Sequence, residues 1–402
     1  MKAFINVIIL SIVLISCHDI IIYAQYPIQT FDLAKLPKQS TVKLSDLGFA
    51  DIEYIPLETS TQSLISGIDL VFFNEYSINK IISGDGYFII KNGERVLKFK
   101  DNGSFIASIG KIGRGPNELN HIEDLDIDKE NQNIYMVSGW QKKFCQYSPN
   151  GEFIKSFNVP FYVREFKFYE DKIFCYCGNN SGVNENSYIL IDKQGNILKR
   201  FPNKYQFKSQ KGNVVYTHEN FFYGFNNKLF KKEIYSDTIY VFENTEFKPH
   251  MVITFGNKLV TPKVRSENNA EKIYANYIQP LSLLEFGEYV YYGFIYRFIV
   301  EGEVIIYGFI GSKKDYSKVI FNLGEGIDND LDGGPNIIPL TTKNDNTVVS
   351  LIDALTLKRH IASEELKNST PKYPEKKKEL EKLANSLKET DNPVLVLVKL
   401  GK

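Results

Sequence analysis

Short runs of alternating apolar and polar residues fill most of the chain, and tight polar turns separate them. The sharpest instance is Asp101-Asn102-Gly103 followed by Ser104-Phe105-Ile106-Ala107-Ser108-Ile109. The same order returns at Ser148-Pro149-Asn150-Gly151 before residues 152–157, and at Asp192-Lys193-Gln194-Gly195 before residues 196–201. Each turn follows an apolar run: RVLKF, KFCQY or SYILI. A period-2 run, a glycine turn able to take positive φ and a second run predict a β-hairpin. The three glycines stand 48 and 44 residues apart.

Upstream of each hairpin the pattern predicts further strands: YFIIKN after Gly84-Asp85-Gly86, LDIDKENQNIYMVS around a polar turn, and EFKFYEDKIFCYC around Glu170-Asp171. Four short strands recurring every 40–50 residues or so are the signature of a β-propeller blade. The unit continues less regularly. Residues 228–256 predict a fourth blade with its last turn at Asn244-Thr245, and residues 289–322 a fifth with a turn at Glu301-Gly302. A polar insertion at 257–276, loop with some helix, lies between them. Residues 337–352 supply two more strands and VLVLVKL (394–400) another. Between these, YPEKKKELEKLANSLKE places Leu380, Leu383, Ala384 and Leu387 at helical spacing, with Pro374 early and Pro393 beyond its end.

An open ring would leave unpaired strand edges. Residues 51–57, near the start of the mature chain, carry a strand that would complete the same blade as VLVLVKL. The expected fold is therefore all-β: a six-bladed β-propeller of four-stranded antiparallel blades spanning 25–402. Strands from the two chain ends share the last blade, and one helix is inserted near the C-terminus.

Composition agrees. Hydrophobic residues make up 43% and aromatics 14% of 402 residues, dominated by 29 Phe and 25 Tyr, types that favour pleated surfaces. Lys plus Arg and Asp plus Glu number 48 each, so the chain lacks the basic excess of a nucleic-acid binder.

The leader, residues 1–24, carries Lys2 and an apolar run from Ala3 to Ser16, too short to span a bilayer and of the length of a secretory core. Two cleavage readings compete. Leu14-Ile15-Ser16-Cys17 resembles a lipobox, which would make Cys17 the lipidated first residue; Ile22-Tyr23-Ala24 suits ordinary cleavage. Either reading implies export, to the outer membrane as a lipoprotein or to the periplasm. In an oxidising compartment Cys145, Cys175 and Cys177 bear on stability. Cys175 and Cys177 share one face of a strand, where a bridge from Cys145 to one of them competes with three buried thiols.

Candidate chemistry is sparse. Asp328, Asp330 and Asp332, with Gly333 next, match the opening of a calcium loop, but the twelfth position is Pro339 instead of the bidentate Glu. The alternative is a solvated acidic turn. Arg114 in GRGPNEL could meet an anion together with glycine amides, yet no P-loop completes it. Asp124, Asp126 and Asp128 alternate and would share one strand face, towards a central channel. Trp140 is a candidate stacking platform for a sugar. Five histidines in unrelated contexts and no G-x-S-x-G leave no assembled catalytic set.

Tyr54-Ile-Pro-Leu-Glu-Thr59, Gly113-Arg-Gly-Pro-Asn-Glu-Leu119, Asp330-Leu-Asp-Gly-Gly-Pro335 and Asn392-Pro-Val-Leu-Val-Leu-Val-Lys-Leu400 resemble a family of exported six-bladed propellers. These are lipoproteins of Gram-negative gut bacteria, distantly similar to NHL-repeat propellers, and the resemblance implies fold and export but no catalytic residues. The expected role is non-catalytic binding or scaffolding at the envelope. The ligand would be a protein, peptide or glycan, with no nucleic acid and no obligatory cofactor. The alternative is a calcium-dependent hydrolase or lactonase-like enzyme working in the channel.

Overall fold

The computed structural model describes residues 28–66, 78–212, 214, 216–297 and 305–401. The leader, Cys17 and the Glu301-Gly302 turn lie outside the described residues. No helix among the described residues is long and apolar enough to cross a membrane.

The first two strands, β1 (Gln29–Asp32) and β2 (Phe49–Pro56), precede the repeats. Blade 1 then holds β3 (Ile78–Ser83), β4 (Tyr87–Asn92), β5 (Arg95–Lys100) and β6 (Phe105–Ser108). Blade 2 holds β7 (Asp124–Ile127), β8 (Ile134–Ser138), β9 (Lys143–Tyr147) and β10 (Phe153–Asn158). Blade 3 holds β11 (Glu165–Tyr169), β12 (Lys172–Tyr176), β13 (Asn186–Ile191) and β14 (Ile197–Pro202). Blade 4 holds β15 (Asn220–Phe225), β16 (Lys228–Glu233), β17 (Thr238–Glu243) and β18 (Glu246–Thr254). After α1 (Pro262–Glu267) and α2 (Ala270–Asn276), blade 5 holds β19 (Gln279–Phe286), β20 (Tyr289–Ile295), β21 (Ile306–Ser312) and β22 (Lys318–Asn322). Blade 6 begins with β23 (Thr341–Asn344) and β24 (Thr347–Ile352). It continues through α3 (Ala354–Ala362), α4 (Glu364–Asn368) and α5 (Pro374–Ser386) into β25 (Val394–Leu400).

This is a six-bladed β-propeller. First strands of neighbouring blades touch from β7 through β11, β15, β19 and β23 to β3, and Lys80 of β3, 2.6 Å from Asp124 of β7, closes the ring around an axial channel. The three turn glycines that define the repeat adopt φ of 86°, 86° and 91° at Gly103, Gly151 and Gly195. In blade 4 the corresponding turn is made by Asn244 and Thr245 at φ 51° and 65°.

The predicted closure is present: β2 pairs antiparallel with β25, Tyr54 opposite Val396, so blade 6 takes three strands from the C-terminal end and one from the N-terminal end. Three features depart from expectation. First strands β3, β15 and β19 were not foreseen in the pattern. Three helices, not one, separate β24 from β25; α3 begins where Asp353 accepts the Thr356 N–H at 2.8 Å. And blade 4 has five strands, because β1 adds parallel to β18 with Phe31 opposite Ile253.

From β1 the chain crosses blade 5, where the Ser40 N–H donates to the Ile320 carbonyl at 2.9 Å, and reaches blade 6 through β2. Phe31, Leu33, Val42 and Leu44 are buried along this path. It forms a strap over the outer rim of half the ring.

Candidate channel site

The first strands of all six blades line an axial cavity of about 1440 Å³. Strand direction assigns its ends. The mouth is ringed by first-to-second-strand turns carrying Asp85, Lys129, Asp171, Asn227 and Asp345. At the other end stand residues leading into these strands, including Arg164 and the stretch from Tyr216 to Glu219.

The walls differ in chemistry. Blades 1–3 present charges. Lys80 Nζ lies 2.6 Å from Asp124 Oδ1, while Asp124 Oδ2 accepts the Phe166 N–H at 2.8 Å. Lys167 Nζ lies 2.7 Å from Asp126 Oδ1, and Asp126 Oδ2 accepts the Phe168 N–H at 2.9 Å. Both aspartates thus satisfy N–H groups on the side of β11 turned away from β12, groups that a further strand would otherwise have to pair. Burial opposes the charge on Lys80, but Asp124 and Asp126 outweigh it and raise its pKa. Blades 4–6 present mostly apolar side chains, among them Phe222, Leu281, Leu283, Ile338 and Leu340.

Between the two walls stands Glu165, half-buried at the start of β11. Tyr188 donates to Asn220 Oδ1 at 2.6 Å, and Asn220 Nδ2 donates to Glu165 Oε2 at 2.8 Å, which fixes the carboxyl orientation. Burial first, then the charge of Asp124, push its pKa up to about 7. Burial, reinforced by Arg164 and Lys80, pushes His218 down to about 4.

The far end is held by the insertion between blades 4 and 5. Arg265 of α1, 1% exposed, donates to Glu219 Oε1 at 3.1 Å and to the Tyr235 hydroxyl at 2.8 Å. Its guanidinium lies 5.0 Å from the ring centres of both Phe207 and Tyr216. Glu219 also accepts the Asn179 N–H at 2.9 Å. The site's far end and the helical insertion are therefore one buried polar cluster.

The residues singled out from sequence are dispersed. Asp124 and Asp126 line the cavity in the pairings above, while Asp128 is buried under Lys193, with Nζ 2.5 Å away. Trp140, 78% exposed, sits in the β8–β9 turn and packs on Tyr162 outside the cavity, ring centres 5.2 Å apart. Arg114 is exposed in a loop whose carbonyls, from Gly115, Pro116 and Glu118, surround Lys143 Nζ. The Gly115 amide donates to Glu118 of the same loop at 2.9 Å.

Asp328, Asp330 and Asp332 lie between the strap and the C-terminal helices, away from the channel. Asp328 bridges to Lys43 through its backbone. Asp330 accepts the Ser45 N–H at 3.1 Å, and buried Asp332 accepts from Tyr54, Asn329 and the Gly334 N–H. Among the described residues no group of three or more His, Cys, Asp or Glu is placed to hold a metal ion. Cys145, Cys175 and Cys177 are buried free thiols; Cys145 belongs to the blade 1–2 core and the other two to the blade 2–3 core.

The sequence reading missed Lys80, Glu165, Lys167, His218 and Asn220. One signal was available for two of them: blades 2–5 begin their first strands with Asp124, Glu165, Asn220 and Gln279, a polar side chain at one repeated position.

Comparison with known proteins places this architecture. An exported-protein description belongs to a Bacteroides fragilis structure that superposes with a TM-score of 0.65 at 15% identity, over 93% of this chain and 99% of that one. A Bacteroides vulgatus member of the DUF4221 family superposes with a TM-score of 0.51 at 12% identity, over 87% and 96% of the two chains. No curated protein sequence matches the chain. A family described as a domain of unknown function, DUF4934, matches residues 28–399.

Proposed function

We infer that this chain, which belongs to the DUF4934 family, is an exported envelope propeller that binds a protein segment, peptide or glycan in its axial cavity without transforming it. The observation that carries the reading is the cavity itself. All six blades contribute to it, and its volume of about 1440 Å³ exceeds the 300–1,000 Å³ or so of small-molecule pockets. That size suits a chain segment entering through the mouth. The acidic side chains of β7 support binding over turnover, because both are engaged in joining blade 2 to blade 3. Export rests on residues 1–24, and the lipobox makes Cys17 the anchoring residue.

A blocked channel tests the reading. Gly224 lines the cavity, and a Cβ added there has open space, with the Lys228 carbonyl 3.8 Å away. Calorimetric screens of peptides and glycans should find a ligand for the native chain, recovered unchanged after incubation, that Gly224→Phe no longer binds. Binding untouched by this substitution, or conversion of the ligand, would overturn the reading.

A further inference from the structure

We propose that the cavity selects an uncharged amphipathic ligand group, with its apolar body against blades 4–6 and a hydroxyl or amide N–H donating to Glu165. The proposal rests on the binding role inferred above and adds the chemistry of the group bound.

Three observations combine. The first is the division of the walls: Phe222, Leu281, Leu283, Ile338 and Leu340 face the charged strands of blades 1–3 across one cavity. Apolar surface on a ligand is stabilised by leaving water when it covers such a wall. The second is that the charges on the opposite wall are already matched. Lys80 holds Asp124, Lys167 holds Asp126, and Arg164, 4.0 Å from Glu219 Oε2, also donates to the Tyr216 carbonyl at 2.6 Å. A charged head group entering here would lose hydration without gaining a dedicated counter-ion. Lys80 and Arg164 against Asp124 and ionised Glu165 sum to no net charge, so an ammonium that reaches Glu165 also meets Lys80 and Arg164, and a carboxylate that reaches those cations also meets Asp124 and Glu165.

The third is Glu165. Its one hydrogen-bond donor among the described residues is Asn220, which engages Oε2 and leaves acceptor capacity at a cavity-lining carboxyl. Asp124 on β7, Lys80 on β3 and Arg164, just before β11, act on this carboxyl, and His218, leading into β15, lines the same cavity. Since Glu165 titrates near 7, a donor on the ligand gains a stronger, charge-assisted acceptor as pH rises through that value.

The test is calorimetric titration with three probes sharing one apolar body: octyl β-glucoside, octanoate and octylammonium, each below its micellar concentration. The glucoside should bind about tenfold or more tightly than either charged probe, and tighten as pH rises from about 6 to about 8. Glu165→Gln, whose amide oxygen remains with Asn220 and whose NH₂ faces the ligand, should weaken the glucoside about tenfold and abolish that pH dependence. A charged probe binding tightest, no probe binding, or an unchanged Glu165→Gln overturns the proposal. If peptide or glycan binding still disappears in Gly224→Phe, the cavity role survives that failure; if it does not, both fall.

Discussion

Blades 1–3 and blades 4–6 protect their outer edges in different ways. On the bare half, fourth strands β6, β10 and β14 each skip one residue in their pairing: Ile106, Ile154 and Leu198. All three occupy the third position after the turn glycine. A bulge there bends the edge and makes it a poor template for another strand. On the strapped half, β22 pairs with β21 without a shift, and the irregularities of blades 4 and 6 fall at other positions, near His250 and at Ala50. There β1 and the chain after it cover the edges instead. The repeat is regular where each blade must protect itself and fades where the strap takes over that task. The lost turn glycines of blades 4 and 5 follow from the same division.

The largest expected effect lies in the strap. Phe31 is 1% exposed and meets Phe309 edge-to-face at 5.4 Å; a Cβ on Gly311 would come within 2.7 Å of the Phe31 ring. Phe31→Ala should cost about 4 kcal/mol in denaturant unfolding. A loss below about 1 kcal/mol would mean the strap rides on the ring without stabilising it.

The seam between the halves should show in the pH dependence of stability. Glu165 rises from 4.5 to about 7 on folding, so the folded chain binds more protons there and this group's contribution falls as pH rises through that window. His218 drops from 6.5 to about 4, so its contribution rises with pH over nearly the same window. The two slopes oppose each other in the native chain. Glu165→Gln should expose the histidine slope, with roughly 2 kcal/mol lost as pH falls from about 6.5 to about 4. His218→Asn should expose the reverse slope. Parallel pH profiles for the two variants would contradict the assignment.

How much of this was legible follows the same division. Glycine turns and period-2 runs reveal blades 1–3 almost strand by strand. Closure by residues 51–57 was legible because an open ring cannot stand and VLVLVKL lacked a partner. Strand β1 is only QTFD, too short for any period, and its partner lies more than 200 residues away. Strand β19 opens with Gln279-Pro280, a proline that argues against a strand in sequence terms. In the site, the alternation in EDLDID placed Asp124 and Asp126 on the channel. Their lysines were hidden because they lie 44 and 41 residues away, about one repeat, where only the closed ring makes neighbours of them. Arg265 gives no signal at all: its partners come from three separate segments, at Asn180, at Val214 and Glu219, and at Tyr235.

Within the charged half, Asp126→Asn should keep an acceptor for the Phe168 N–H while removing the ion pair to Lys167, which is 23% exposed. A loss of about 1 kcal/mol is expected, well below that for the strap. A loss as large as that of Phe31→Ala would mean that the inter-blade ion pairs, rather than the covered rim, dominate the ring's stability.

The smallest effect belongs to the bare rim. Ile106, Ile154 and Leu198 are 39%, 46% and 49% exposed, so little apolar contact is lost when they are replaced. Ile106→Ser, Ile154→Ser and Leu198→Ser should each change unfolding free energy by no more than about 0.5 kcal/mol. The residue count and the bulge are retained in all three. Deleting Ile154 instead removes the bulge and makes β10 a flatter edge, which should appear as self-association in sedimentation while the serine variant stays as dispersed as the native chain. Equal behaviour of the deletion and the serine variant would show that bulges are not what guards the uncovered half, and the contrast between the two halves would lose its physical basis.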